Sequence, residues 1–455
     1  MSDWETRSFW LGRHSYEPSD RLDGDTSADI VIVGGGFTGL WSAILLKEAD
    51  PAIDIVVLEQ KVIGYGASGR NGGFAMTMVA RNLHDLVRKV GPELARDTHL
   101  AMVDSINAIE QFATSEGIDA DITHPGNLTV SNGPEQDIRI HQDVRAAERI
   151  GLDDIRFLDR HACQELVQAP HVRMGHFEDH TLLVDPAALA RGLKDAARRR
   201  GVRVYENTPV DEIESIHDTR VEARTPFGTV HGDRLLIATN AYAHSIPAIR
   251  RWIFTIYAYI TLTEPLTDEQ WERIGWERRF GMEDKRVMLH FHRPTADGRI
   301  LWGGRDAPFK AGGPNPTFDR DPHIFGRLEE TFHWNFPALD DVAIDHAWAG
   351  PVCGTLDCIA SVGWLSGERI LYALGYAGHG VGPAHLAART VRDLMLNQQS
   401  ALTELPFVTS KPKPLPPGPL RRWMLDFGER LVLEMDDHAG EVTSPWSKLA
   451  SRYLQ

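Results

Sequence analysis

The chain has 455 residues, 42% hydrophobic and 25% charged, with a formal charge of -16; this predicts a globular protein of two or three domains and argues against disorder. The negative charge works against nucleic-acid binding, because no Lys/Arg-dense run offers a phosphate backbone a basic stripe. No segment approaches the ~20 apolar residues of a membrane helix, and MSDWETRSFWLGRHSYEPSD lacks the apolar core of a signal peptide, so the expectation is a cytoplasmic protein without a membrane span.

In chain order, residues 29–33 (DIVIV) are a β-branched run that predicts a buried strand. GGGFTG follows and passes into LWSAILLKEA, whose spacing suits a helix. IDIVVLE then reads as a second buried strand, with the chain reversing at Ala49-Asp50-Pro51. Together these form a βαβ unit of the dinucleotide-binding kind. From about 81 to 156, stretches such as NLHDLVRKVGPELARDTHLAMVDSINAIEQFATSEG carry apolar residues at three- and four-residue intervals, as amphipathic helices of another domain do. The βαβ pattern returns with DPAALARGLKDAARRRGVRVYENTPVDEIESI and runs to DRLLIATNAY. Between about 248 and 345, WIFTIYAYITLT, RVMLHFHR and GRILWGG suit a large mixed or antiparallel sheet, either walling a ligand cavity or serving as plain core. A helical run to about 397 closes the first domain, and KPKPLPPGPLRR is a Pro-rich connector. The predicted fold class is α/β. A discontinuous Rossmann-like domain takes 1–80, 157–247 and 346–400; an α+β substrate domain takes 81–156 and 248–345; a connector and tail take 401–455.

Gly34-Gly35-Gly36-Phe37-Thr38-Gly39 fits GxGxxG after a strand and at the opening of a helix. Gly34 allows the tight turn, Gly36 lets backbone approach a pyrophosphate, and Gly39 lets helix and strand pack closely, while helix N-terminal amides face the phosphate charge. Glu59 lies 20 residues beyond Gly39, at the end of the second strand, where a carboxylate accepts from a ribose diol and repels a 2′-phosphate. FAD or NAD is expected rather than NADP. A second glycine-rich segment, Gly64 to Gly73, directly follows the second strand. A cofactor as long as FAD needs such a second backbone approach, with Ser68 and Arg70 suited to phosphate oxygens and Asn71, Gly72 and Gly73 small enough to lie against a flavin ring. A mobile surface loop is the other reading of that glycine density.

IVIVGGGFTGL, VVLE, GASGRNGG, IATNAY and TLTEPL resemble the D-amino-acid oxidase superfamily of flavoproteins, which includes glycine oxidase, sarcosine oxidase and the γ-glutamylputrescine oxidase branch, the nearest in wording. The resemblance spans about 1–400. It implies non-covalent FAD held by the glycine motif with Val33, Phe37 and Thr38, by Glu59 with Gln60, and by Ala67, Ser68, Arg70, Asn71, Gly72 and Gly73. It also implies Val210 beside the adenine and Ala238 and Thr239 near the pyrophosphate. Gly375 to Gly382 is similar to the family segment whose amides meet the flavin pyrimidine, so Gly378, His379, Gly380 and Val381 carry over. Amides and a helix N-terminus there favour the negative charge of reduced flavin. His379 is either an added proton donor or a packing residue.

The implied reaction is oxidation of a C–N bond by hydride transfer to flavin N5, which requires an unprotonated nitrogen and little acid–base machinery. The resulting imine hydrolyses to an aldehyde or ketone, and O2 or another acceptor reoxidises the flavin. In glycine oxidase-like members an Arg shortly after WAG binds the substrate carboxylate. Here Val352 stands there, which favours a small primary or secondary amine or an N-substituted amino acid, unless Arg293, Arg299 or Arg305 substitutes. Tyr257 with Tyr259, and His290 with His292, share a strand face and either line the substrate cavity or pack within the sheet. Cys353 and Cys358 form C-x4-C away from the first βαβ unit and read as ordinary thiols; with Cys163 they make three cysteines, an odd number that suits a reducing compartment. The histidines lack a ligand set, so no metal is expected. The alternatives are an NAD(P)H-dependent flavin monooxygenase and a catalytically silent flavin-binding partner subunit.

Overall fold

The computed structural model describes residues 3–79, 81–216, 219–409 and 411–437. The N-terminal half of the fold rests on strands β1 (Thr26–Val33) and β2 (Ile55–Leu58), which pair in parallel. Ile30, Ile32, Ile55 and Val57 enter one hydrophobic cluster, and Val31, Val33, Val56 and Leu58 enter another. Period-two alternation with apolar residues on both faces is what a sheet covered on both sides demands. The Phe37–Ala49 helix between the strands ends where the Asp50 carboxylate accepts the Ala52 N–H at 2.9 Å. Its residues from Phe37 to Ile44 are all buried, against the sheet and the Pro186–Arg199 and Val381–Met395 helices.

The intervening chain supplies β3 (Phe74–Ala75), β4 (Asn127–Ser131), β5 (Ile155–Leu158), β6 (Met174–Glu178) and β7 (Leu182–Leu183), with β3 and β7 forming a two-stranded ribbon. Then β8 (Arg203–Tyr205), β9 (Glu212–Ile216), β10 (Arg220–Thr225) and β11 (Gly228–Ile237) return to the first sheet. Next come β12 (Ile253–Thr263), β13 (Gly281–Asp284), β14 (His290–Pro294), β15 (Ile300–Gly304), β16 (Phe309–Lys310) and β17 (Ile344–Thr355). Finally β18 (Ser361–Ser366) and β19 (Ile370–Leu374) complete the first sheet. Among the described residues that sheet has the order β18-β19-β11-β1-β2-β8, with β10 and β9 beside β11. The second has the order β16-β12-β15-β14-β13-β4-β6-β5, with β17 on β12, and is mixed because β13 and β4 run parallel.

Two stretches differ from the sequence expectation. Residues 157–178, read with the first domain, carry the end of β5 and all of β6 into the second sheet. Residues 346–355, read likewise, lie in β17, whose long antiparallel register with β12 from Ile344 to Thr355 binds them to that sheet too. Strand partnership is a long-range choice that local pattern does not encode. The Leu83–Val90, Pro92–Glu116 and Pro134–Ile150 helices fall within the expected helical region. Beyond the Pro-rich segment, the Gly418–Asp437 helix is docked: Asp436 accepts the Val287 and Met288 N–H groups, and Glu429 accepts that of Phe309. The expected tail beyond residue 437 lies outside the described residues.

Candidate cofactor and substrate site

The turn after β1 is built by contacts that exclude a Cβ. Gly34 has φ +113°, and a Cβ there would lie 2.6 Å from the Ala238 carbonyl oxygen. At Gly39 it would lie 2.0 Å from the Gly34 oxygen, so helix and turn touch backbone to backbone. At Gly36 it would meet the Ser68 Oγ at 2.9 Å, and that oxygen accepts the first helical N–H, of Phe37, at 2.9 Å. The second glycine-rich segment therefore folds onto the helix N-terminus. The Gly34 N–H donates to the Leu58 carbonyl, which brings the end of β2 alongside. There Glu59 accepts N–H bonds from Gly35 at 2.9 Å and Lys61 at 3.0 Å, while burial pushes its carboxyl up to about 7.

From this turn runs a cavity of about 920 Å³. Its walls include Glu59, Gln60 and Val210, then Val33, Gly34, Gly36, Phe37, Thr38, Ala67, Ser68, Asn71, Ala238 and Thr239, and also Gly378, Gly380, Val381 and Val352. Tyr376, Tyr242 and Thr208 also line it and were not singled out from sequence, although they stand inside the Gly375 to Gly382, IATNAY and NTPV segments. The Tyr376 hydroxyl meets that of Thr38 at 2.8 Å, joining the two ends of the chain across the cavity.

Other expected residues are placed differently. Arg70 donates to the Tyr65 carbonyl at 2.7 Å and to Asp319 at 3.1 Å, and it is 3% exposed, so its guanidinium ties the loop to protein rather than facing a phosphate. Asn71, although it lines the cavity, spends its amide on its own loop, donating to the Ala67 and Ser68 carbonyls and accepting from Gly73 N–H. A Cβ on Gly72 would strike the Phe291 ring and one on Gly73 the Val184 carbonyl. Those two glycines answer to neighbouring protein, not to the cavity wall. Gly39 serves packing, as its motif position predicts. His379 is half-buried, with Nδ1 lacking a hydrogen-bond partner. Burial first and Lys285 second push it down to about 4, so the ring is neutral at pH 7.

The four residues expected as aromatic or histidine walls share faces as alternation predicts, but on the side of the second sheet turned away from this cavity. Tyr257 and Tyr259 pack under the Pro322–Asn335 helix, and their hydroxyls donate to the Asn315 and Phe318 carbonyls at 2.9 and 2.6 Å. The His290 ring bonds Asp284 at 2.8 Å, and His292 stacks on Trp302 with centroids 4.3 Å apart. Burial pushes His292 down to about 3. Arg299 pairs with Asp297 and Asp345 and donates to the Thr263 carbonyl; Arg305 lies 3.8 Å from Asp306. Arg293, 1% exposed, donates to the Gly73 and Val184 carbonyls at 3.0 Å each. None of these arginines lines the cavity, whose described lining contains no Arg or Lys. Cys353 is wholly buried and pushed by burial up to about 12, an inert thiol. Among the described residues no three His, Cys, Asp or Glu side chains converge as metal ligands, and no helix is long and apolar enough to cross a membrane.

A cavity of this size suits an adenine dinucleotide. Glycine-exposed backbone and the N-termini of the Phe37–Ala49 and Val381–Met395 helices line it, and buried polar atoms such as Thr239 Oγ1 and Asn240 Oδ1 lack protein partners on its wall. Fold and site thus define a flavin-binding protein of the Rossmann-like class, and the residues present fit FAD. The family described as FAD dependent oxidoreductase matches residues 29–394. Gamma-glutamylputrescine oxidoreductase of Escherichia coli (strain K12) is 32% identical over 398 residues, 87% of this chain and 90% of that one. Glycine oxidase of Bacillus licheniformis is 24% identical over 381 residues, 81% of this chain and 93% of that one. The crystal structure of glycine oxidase from Geobacillus kaustophilus superimposes with a TM-score of 0.71 at 20% identity, covering 85% of this chain and 99% of that one. The chain belongs to this family and is an FAD-dependent oxidoreductase.

Proposed function

We propose that the chain oxidises the C–N bond of a small primary or secondary amine to an imine that water hydrolyses. The observation that carries this reading is the cavity wall at Val352, with neither Arg nor Lys anywhere in the described lining to pair with a free α-carboxylate. The name of the Escherichia coli relative, gamma-glutamylputrescine oxidoreductase, supports an amine substrate. When bound, FAD supplies the two-electron acceptor at its N5, and O2 or another acceptor restores it. Gly34, Gly36 and the first amides of the Phe37–Ala49 helix would hold the pyrophosphate, with Glu59 on the ribose diol and Val210 against the adenine. The amides of Gly378, Gly380 and Val381 would meet the flavin pyrimidine and favour negative charge there. Attachment is non-covalent in this reading, supported by the burial of Cys353 and the absence of cysteine from the described cavity lining.

Anaerobic addition of amines should bleach the flavin band near ~450 nm, while free α-amino acids leave it largely intact. Bleaching by NAD(P)H alone would replace this reading with a monooxygenase. Acid precipitation should leave the yellow colour in the supernatant; colour in the pellet would mean a covalent link.

A further inference from the structure

The face of the second sheet opposite Tyr257 and Tyr259 carries an unusual row. Register places Gly303, Phe291, Glu283, Thr129 and His176 side by side across β15, β14, β13, β4 and β6, and directly opposed residues share a face. Glu178 and Lys285, each two residues along a strand line, have the same parity. This face is turned toward the cofactor loop: the Phe291 ring abuts Gly72, and a Cβ on Gly281 would lie 2.5 Å from the Phe74 ring. The helices over it bring His99 and Asp143.

Between sheet and helices is a second cavity of about 40 Å³, lined by Thr77, His99, Asp143, His176, Glu178, Glu283 and Lys285 among others. The two linings approach each other where Gly382, beside Val381 of the first, packs against the Met76 carbonyl, next to Thr77 of the second; a Cβ on Gly382 would lie 2.9 Å from that oxygen. Its cations are engaged, Lys285 with Asp143 at 2.5 Å and Arg81 with the Asp357 carbonyl. His99 bonds Asp154 at 2.7 Å. Glu178 and Glu283 are 7% and 3% exposed, and each accepts a threonine hydroxyl, from Thr77 and Thr129, with no ion pair within 4.0 Å among the described residues. His176, 5% exposed, lines the cavity with both ring nitrogens unpartnered. Two buried carboxylates and an unsatisfied imidazole cost stability unless a ligand completes them. Burial pushes both carboxyls up, so an entering cation restores their ionised form.

We propose that this cavity is a cation subsite that takes a second ammonium of the amine substrate, remote from the nitrogen that is oxidised, held by Glu178 and Glu283. The assignment rests on the amine-oxidising reading and narrows its substrate class to amines that bring a small, hydrogen-bonding cation. A volume of about 40 Å³ accommodates an ammonium group, roughly the room of a few waters, and excludes a trimethylammonium.

The test is calorimetric titration of oxidised, anaerobic holoprotein with n-butylammonium, butyltrimethylammonium and n-butanol, for the wild type, Glu178→Gln and Glu283→Gln. Butylammonium should bind and the other two should not. Each variant should weaken butylammonium binding roughly ten- to hundredfold, the worth of a hydrogen bond to a charged group, while keeping its flavin spectrum and unfolding no earlier than wild type. Equal binding of butylammonium and butyltrimethylammonium to the wild type overturns the proposal even should a variant not fold, as does unchanged affinity in both folded variants. Failure of every amine to bleach the flavin would instead overturn the amine-oxidising reading, leaving the binding result to be judged separately.

Discussion

Gly39 has no room for a methyl group, because its Cβ would sit 2.0 Å from a backbone oxygen that cannot rotate away. Gly39→Ala should therefore cost roughly 1–3 kcal/mol or more, read as a lower urea midpoint, and lower the flavin-to-protein absorbance ratio. Glu283 gives a prediction of opposite character. Its folded carboxyl is raised from 4.5 to about 7, so between those values the fold keeps a proton that the unfolded chain has lost. Its contribution to stability is complete below about 4.5 and is lost as pH rises through about 7. Glu283→Gln removes that loss. Its melting temperature minus that of wild type should grow from pH 4.5 to 7.5, by an equivalent on the order of 3 kcal/mol; parallel curves would mean that Glu283 is not held protonated. Glu59 and the GxGxxG glycines were legible at this scale because motif position states their neighbours. Arg70 was not, since its partner Asp319 lies 249 positions away.

At the scale of elements, the short β3–β7 ribbon is fixed from outside by one side chain. Arg293 on β14 donates to Gly73, just before β3, and to Val184, just after β7. Burial pushes it down to about 10, and it remains a cation at neutral pH. Arg293→Leu should leave both carbonyls without that donor and loosen the glycine-rich loop. The expected result is a stability loss of roughly 1–3 kcal/mol and FAD binding weakened about tenfold in apoprotein titrations, with an unchanged FAD affinity as the contrary outcome. Strand alternation correctly grouped Tyr257 with Tyr259 and His290 with His292, yet period two states only that residues share a face. Which face met the cofactor loop depended on where the Pro322–Asn335 helix packed, and that contact joins distant parts of the chain. The same ambiguity hid Glu178, Glu283 and His176, which stand on two strands, β6 and β13, in no common motif.

For the whole molecule, the proposed FAD site would link cofactor to fold, because the first cavity draws its walls from residues 33 to 384, spanning most of the described chain. Removing FAD should lower the melting temperature, and adding it back should raise it with the logarithm of concentration, by about 2.7 kcal/mol of stability at a hundred times Kd; a melting temperature indifferent to FAD would deny the linkage. The sequence by itself determined the βαβ unit, the glycine turn, the acid at the end of β2 and the loop before the last helix of the first sheet. Each is a local rule, in which spacing fixes backbone conformation and a nearby contact. Only the tertiary structure decided that 157–178 and 346–355 join the second sheet, that Arg70 and Arg293 tie the cofactor loop to protein, and that a face of buried acids lies beside it. Those are contacts between segments far apart in sequence, set by which surfaces pack together, and no local pattern carries that information.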